Sequence, residues 1–137
     1  MDILGRQKLL VSLIVTIAVL SAIVYYLFLQ PDFEISANPE TVTLYTFRGS
    51  SNSTIITVNS IRGLGGTVTL TAAPGFGIGE VRLTLDPSEA HLSAGGEAQS
   101  VLTLDVLFFI ARGEYYVEVI GVAGALKRSV LITVIVV

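Results

Sequence analysis

The chain's one histidine, His91, closes the stretch Asp86-Pro87-Ser88-Glu89-Ala90-His91, which gathers two carboxylates, a hydroxyl and an imidazole. Such a set could ligate a divalent cation, with Asp86, Glu89 and His91 as donors and Ser88 completing the shell. Asp86-Pro87 is equally an ordinary turn pair, which would leave His91 between strands and facing solvent. A Ser-His-Asp relay would also need His91, yet no strand-turn-helix pattern presents a serine. The run Gly75-Phe76-Gly77-Ile78-Gly79 lacks the helix N-terminus and lysine that cradle a phosphate. It reads instead as a loop at one end of the fold, with Phe76 and Ile78 available as a contact tip. Asn52-Ser53-Thr54 is an N-glycosylation sequon, expected on a loop. If it carries a glycan, Asn52 marks a face that no assembly buries. Without Cys there is no thiol nucleophile and no thiolate metal site. No catalytic residue, metal site or cofactor is assigned, and the chain reads as non-enzymatic.

Hydrophobic residues make up 52% of the 137 and charged residues 14%, with a net charge of −3. The mild acidity and the scattered Arg and Lys speak against a nucleic-acid partner, which would require clustered positive charge. The apolar excess is concentrated. In Leu9–Leu29, 18 of 21 residues are apolar and none is charged. As a helix this run would be about 31 Å long, matching a hydrocarbon core of about 30 Å. Arg6 and Lys8 precede it and Asp32 and Glu34 follow it, so residues 1–8 are expected in the cytoplasm, 9–30 in the membrane and 31–137 outside. Tyr25 and Tyr26 fall where an aromatic belt belongs, and Pro31 is a natural stop. A cleaved signal would have a shorter apolar core and a small-x-small site; the run ends instead in Tyr-Tyr-Leu-Phe-Leu-Gln-Pro. Ser12, Thr16, Ala18, Ser21 and Ala22 are small or hydroxylated positions that let helices approach closely in lipid. They are also tolerated in a lone span.

Beyond Pro31 short alternating runs predict strands near 33–35, 41–45, 53–58, 67–71, 81–85, 100–106, 115–120 and 130–136. Alternation is plain in Thr41-Val42-Thr43-Leu44-Tyr45 and Thr67-Val68-Thr69-Leu70-Thr71. Turn pairs punctuate the runs every ten or so residues, and no helix-period stretch appears. The expected fold class is all-β, an antiparallel β-sandwich of seven or eight strands behind one N-terminal transmembrane-type helix.

Several segments, in order, carry a resemblance. They are Asn38-Pro39-Glu40-Thr41-Val42, Ser53-Thr54-Ile55-Ile56-Thr57-Val58, Gly65-Gly66-Thr67-Val68-Thr69-Leu70 and Leu85-Asp86-Pro87-Ser88. Ser93-Ala94-Gly95-Gly96, Ser100-Val101-Leu102-Thr103-Leu104 and Gly113-Glu114-Tyr115-Tyr116-Val117-Glu118-Val119 continue the series. Together they resemble the cysteine-free immunoglobulin-like repeats of archaeal and bacterial cell-surface proteins, over about residues 33–137. That likeness implies an extracytoplasmic sandwich for structure or adhesion and brings no catalytic residue with it.

One anomaly points to assembly. Residues 31–100 hold 25 apolar residues in 70, whereas residues 101–137 hold 25 in 37. A sandwich strand should alternate core with solvent. Yet Val106-Leu107-Phe108-Phe109-Ile110-Ala111 is wholly apolar, and Leu131–Val137 has only Thr133 as a polar member. Leu107, Phe108, Phe109, Ile110, Leu131, Ile135 and Val137 are therefore expected to form an outward patch, covered by another subunit or lying on the bilayer surface. A hydrophobic helix followed by a sticky β-domain also resembles the layout of archaeal type IV pilins, which implies a filament with helices inside and β-domains outside. The expected partners are membrane lipid or a helix bundle, and further copies of the chain or other membrane subunits. The alternatives are an accessory subunit of an integral membrane complex, a surface-layer tether, or a ligand-binding module using the loops around Phe76 and His91.

Overall fold

The structure, a computed structural model, describes residues 3–137; Met1 and Asp2, part of the expected cytoplasmic N-terminus, lie outside the described residues. The chain divides into two units, Met1–Pro31 and Asp32–Val137.

The first unit is one helix, α1 (Ile3–Phe28), which starts six residues before the apolar run and takes in Arg6 and Lys8. No proline interrupts it, and straight-chain residues such as Leu and Lys cost little to hold in a helix. Thr16 satisfies its hydroxyl internally by donating to the Ser12 carbonyl at 2.9 Å, as hydroxyl side chains do in apolar helices. Pro31 disfavours helical geometry at the residue before it, and regular structure stops short of it. Among the described residues α1 alone is long and apolar enough to cross a membrane, and none of its apolar window is buried.

The second unit has nine strands: β1 (Asp32–Asn38), β2 (Thr41–Leu44), β3 (Ser51–Ile61), β4 (Gly66–Pro74), β5 (Val81–Asp86), β6 (Glu89–Leu92), β7 (Glu97–Val106), β8 (Gly113–Ala123) and β9 (Leu126–Val136). They form two sheets, a four-stranded one in the order β1-β3-β7-β5 and a five-stranded one in the order β2-β9-β8-β4-β6. The fold is thus a mostly β, two-sheet sandwich, as expected, with two corrections. The stretch read as a turn around His91 contains an extra strand, β6, paired to β4. The sandwich is also not wholly antiparallel, because β2 runs parallel to β9. The cause is a crossover: after pairing with β3 the chain passes through Pro39 and Glu40 and continues as β2 in the other sheet.

Alternation builds the core. Val42 and Leu44 of β2, Ile56 and Val58 of β3, Leu102 and Leu104 of β7, Val117 and Val119 of β8, and Ile132 and Val134 of β9 are all buried. Each such side chain contributes about 1.5–3 kcal/mol on burial. A second cluster, around Phe33, Val68 and Leu70, fills the end where the chain enters the sandwich. Gly121 makes room for it, since a Cβ there would sit 3.1 Å from both the Phe33 ring and a Val68 methyl.

Candidate functional site

Asp32 pairs with Ile61, the last residue of β3, whereas Ser51, the first, pairs with Asp105 near the end of β7. The loops 45–50, 75–80 and 107–112 therefore gather at the end of the sandwich away from Asp32. Backbone bonds lock them together: Gly49 N–H donates to Val106 O at 3.0 Å, Leu107 N–H to Glu80 O at 2.9 Å, and Ile110 N–H to Thr46 O at 3.2 Å. Phe47 and Phe109 form a β-bridge. The result is an aromatic tip. Tyr45 and Phe47 stack with ring centroids 5.6 Å apart and planes 10° from parallel. The Arg48 guanidinium lies over the Phe108 ring, 5.8 Å from its centroid. Phe108 and Phe109 are 68% and 61% exposed, and Phe76 projects fully into solvent. Gly75 must be glycine for this loop, because a Cβ would lie 2.6 Å from the Tyr116 carbonyl oxygen.

Two expectations fail here. Ile110, placed in the outward patch, is 3% exposed and packs in the core; Ile78, expected at a contact tip, is fully buried in the same core cluster. In both loops one apolar side chain turns inward to anchor the segment while its neighbours stay outside. Leu107 is half-buried. Tyr45 and Phe47 belong to the tip although the sequence reading passed over them. Their signal was an aromatic pair two residues apart at a strand end.

The last strand is more regular than its composition suggested. Ile132, Val134 and Val136 face inward, Leu131 is 56% exposed, and Ile135 is half-buried on the outer side. Val137 is exposed and ties its N–H to Leu44 O at 3.0 Å. Leu131 lies opposite Glu118, and Ile135 opposite Glu114, so polar neighbours interrupt this face. Glu114 also accepts a 2.7 Å bond from the Tyr116 hydroxyl, whose pKa it raises. The seven patch residues are therefore not one surface. Phe108 and Phe109 belong to the tip, Leu131 and Ile135 to a sheet face, and Ile110 to the core.

In α1 the small positions fall on two sides. At about 100° per residue, Ser12 and Thr16 share one face, Ala18 and Ser21 lie roughly opposite, and Ala22, beside Ala18, falls about a quarter-turn from the first face. Thr16 already spends its proton on Ser12.

His91 sits on β6 opposite Thr67, with its Nδ1 3.1 Å from the Thr67 hydroxyl and its ring exposed. Asp86 ends β5 in the other sheet, which separates the two residues that a cation would have to share. No group of three or more His, Asp or Glu able to hold a metal occurs among the described residues. Asn52 lies in β3, not on a loop as expected. Where the chain enters the sandwich, Asp32 bonds Arg128 at 2.7 Å and has Arg62 at 4.0 Å. Partial burial pushes the Asp32 carboxyl up. The Arg128 hydrogen bond, the Phe33 N–H and the charges of Arg128 and Arg62 outweigh it and hold the pKa below the usual aspartate value.

No protein-family model matches the chain, and no curated protein matches it. Solved structures do. Domains 4 and 5 of the S-layer protein SbsC match with a TM-score of 0.55 at 16% identity, over 79% of this chain and 54% of that one. A FixG-related protein from Vibrio parahaemolyticus gives 0.54 at 10% identity, over 77% of this chain and 94% of that one. A family 123 glycoside hydrolase from Clostridium perfringens gives 0.50 at 10%, over 76% of this chain and 26% of that one. At such identities the likeness is one of fold: a two-sheet β-sandwich. The chain spans about half the length of the SbsC structure it matches. One sandwich serving both a surface-layer protein and a hydrolase shows why function must be argued from the chain's own surfaces.

Proposed function

We propose that this chain is a non-enzymatic structural protein of the cell surface, inserted in the membrane through α1, with the sandwich outside and the N-terminus in the cytoplasm. The observation that carries this reading is α1 itself: an unburied helix, apolar around its whole circumference, joined by three residues to a sandwich with its own core. Such a helix is stable only against lipid or other helices. The strand order β1-β3-β7-β5 over β9-β8-β4 supports the finer reading of an immunoglobulin-like sandwich. Likeness in fold to an S-layer protein supports a structural role at the surface.

The chain assembles with copies of itself as a pilin-like filament subunit. Small residues on two sides of α1 suit a helix with neighbours on both, which builds an open array instead of a closed pair. A second reading, a tether or accessory subunit, is favoured by the aromatic tip, which stands at the far end of the sandwich from Asp32. Fractionation of the full chain tests the placement. It should stay in the membrane pellet at alkaline pH, and protease added to intact cells should cut the sandwich loops. Release at alkaline pH, or shielding from external protease, contradicts it.

A further inference from the structure

Of the chain's three asparagines only Asn52 stands in a sequon. The triplet opens β3 beyond the reach of β1, whose last residue, Asn38, pairs with Ile55; there β3 is paired only with β7. At this point the chain crosses between sheets, and the two chemically essential side chains of the sequon hold the crossing segment and the strand β2 that follows it. The Thr54 hydroxyl donates to the Pro39 carbonyl, and Thr54 is 1% exposed. Asn52 Nδ2 donates to the Thr43 carbonyl at 3.0 Å, while its Oδ1 accepts from Ser53 N–H at 2.8 Å. The Asn52 side chain itself is exposed.

We infer that Asn52 is an N-glycan acceptor, modified only before β3 joins the sandwich. The inference rests on the reading above that the sandwich lies outside the membrane. In the transfer, Asn52 Nδ2 bonds to the anomeric carbon of a sugar donor carrying a phosphate leaving group. The carbon–oxygen bond to phosphate breaks, and the phosphate departs with the electron pair. One amide proton passes to a carboxylate of the transferring enzyme. That enzyme must reach both the amide and the threonine hydroxyl two residues on. In the finished sandwich the hydroxyl is buried and spent on Pro39, and the backbone of Asn52 is fixed opposite Leu104. In a chain still being threaded outward, both groups are free. The product nevertheless fits the fold. After transfer Nδ2 keeps one N–H for Thr43, and the exposed position leaves the sugar in solvent. The glycan then stands at the seam between the sheets, on the flank formed by β1 and β2, and keeps another copy from packing there.

Peptide mass spectrometry of the full chain from its own cells is the test, paired with protease treatment of those cells. A sugar mass on Asn52 is expected, lost in Asn52→Gln and Thr54→Val and kept in Thr54→Ser. Unglycosylated full chain mixed with membranes that supply transferase and sugar donor should be modified when unfolded in urea and then diluted, and left bare when folded first. Bare Asn52 on a chain whose sandwich is cut from outside overturns the inference alone. Equal modification of folded and unfolded chain overturns the timing. Bare Asn52 on a sandwich shielded from protease overturns the outside placement and the inference with it.

Discussion

Neighbouring residues of one apolar run meet opposite fates. Phe108 and Ile110 are two positions apart, yet one is exposed under Arg48 and the other is buried. Ile110→Ala should cost about 2–5 kcal/mol, as large-to-small changes in cores do. Phe108→Ala should cost only about 0.5–1 kcal/mol, the worth of an exposed cation–π contact. Denaturant unfolding of the full chain in detergent, followed through the sandwich, checks both; equal costs would contradict the placement. Composition raised the expectation that residues 106–111 avoid solvent. It could not show which side chain the loop turns inward, because the Phe47–Phe109 bridge that closes the loop joins residues far apart in sequence. Asp32 allows a test by pH. Its folded pKa is depressed, so its stabilising effect is fully present above the unfolded value of about 3.9 and is lost as pH falls through the folded pKa. Both arginines are more than two-fifths exposed and screened, so Asp32→Asn should cost about 0.2–1 kcal/mol near neutral pH. The gap between wild type and variant should close in acid; a gap that persists there would mean the carboxylate charge is not what holds the three residues together.

Elements were more legible than residues. Period-two patterns in 41–45 and 67–71 mark β2 and β4, and the uncharged run marks α1, because alternation and unbroken apolarity are local signals. Strand β6 escaped because it is four residues long and follows Asp86-Pro87-Ser88, where turn chemistry dominates. The parallel β2–β9 pair escaped because its partners stand more than ninety residues apart, and nothing local records such pairing. Helix α1 ends before Pro31 as expected but starts earlier, since Arg6 and Lys8 break the hydropathy without breaking the helix. Its two small-residue faces predict different outcomes. Thr16→Val should leave association unchanged, because the hydroxyl is already bonded to Ser12. Replacing Ala18 and Ala22 together by Leu should weaken association by blocking close approach. Crosslinking in native membranes measures both, and a strong effect of Thr16→Val alone would assign the contact to the other face.

For the whole molecule, the sequence reading and the structure agree on two units, an apolar helix and a β-sandwich, and differ on where the sandwich is sticky. The expected continuous patch resolves into an aromatic tip and a sheet face broken by Glu114 and Glu118. The tip lies at the end away from Asp32, and strands of 11 residues at about 3.3 Å each put roughly 35 Å between the two ends. In the filament we propose, self-assembly rests first on α1. The composition and shape of the native particle, purified in mild detergent and imaged by negative stain, test this most directly. Long fibres containing this chain alone are the predicted result. Discrete particles that contain other polypeptides in fixed ratio would contradict it, and would make the chain an accessory subunit of the complex so isolated.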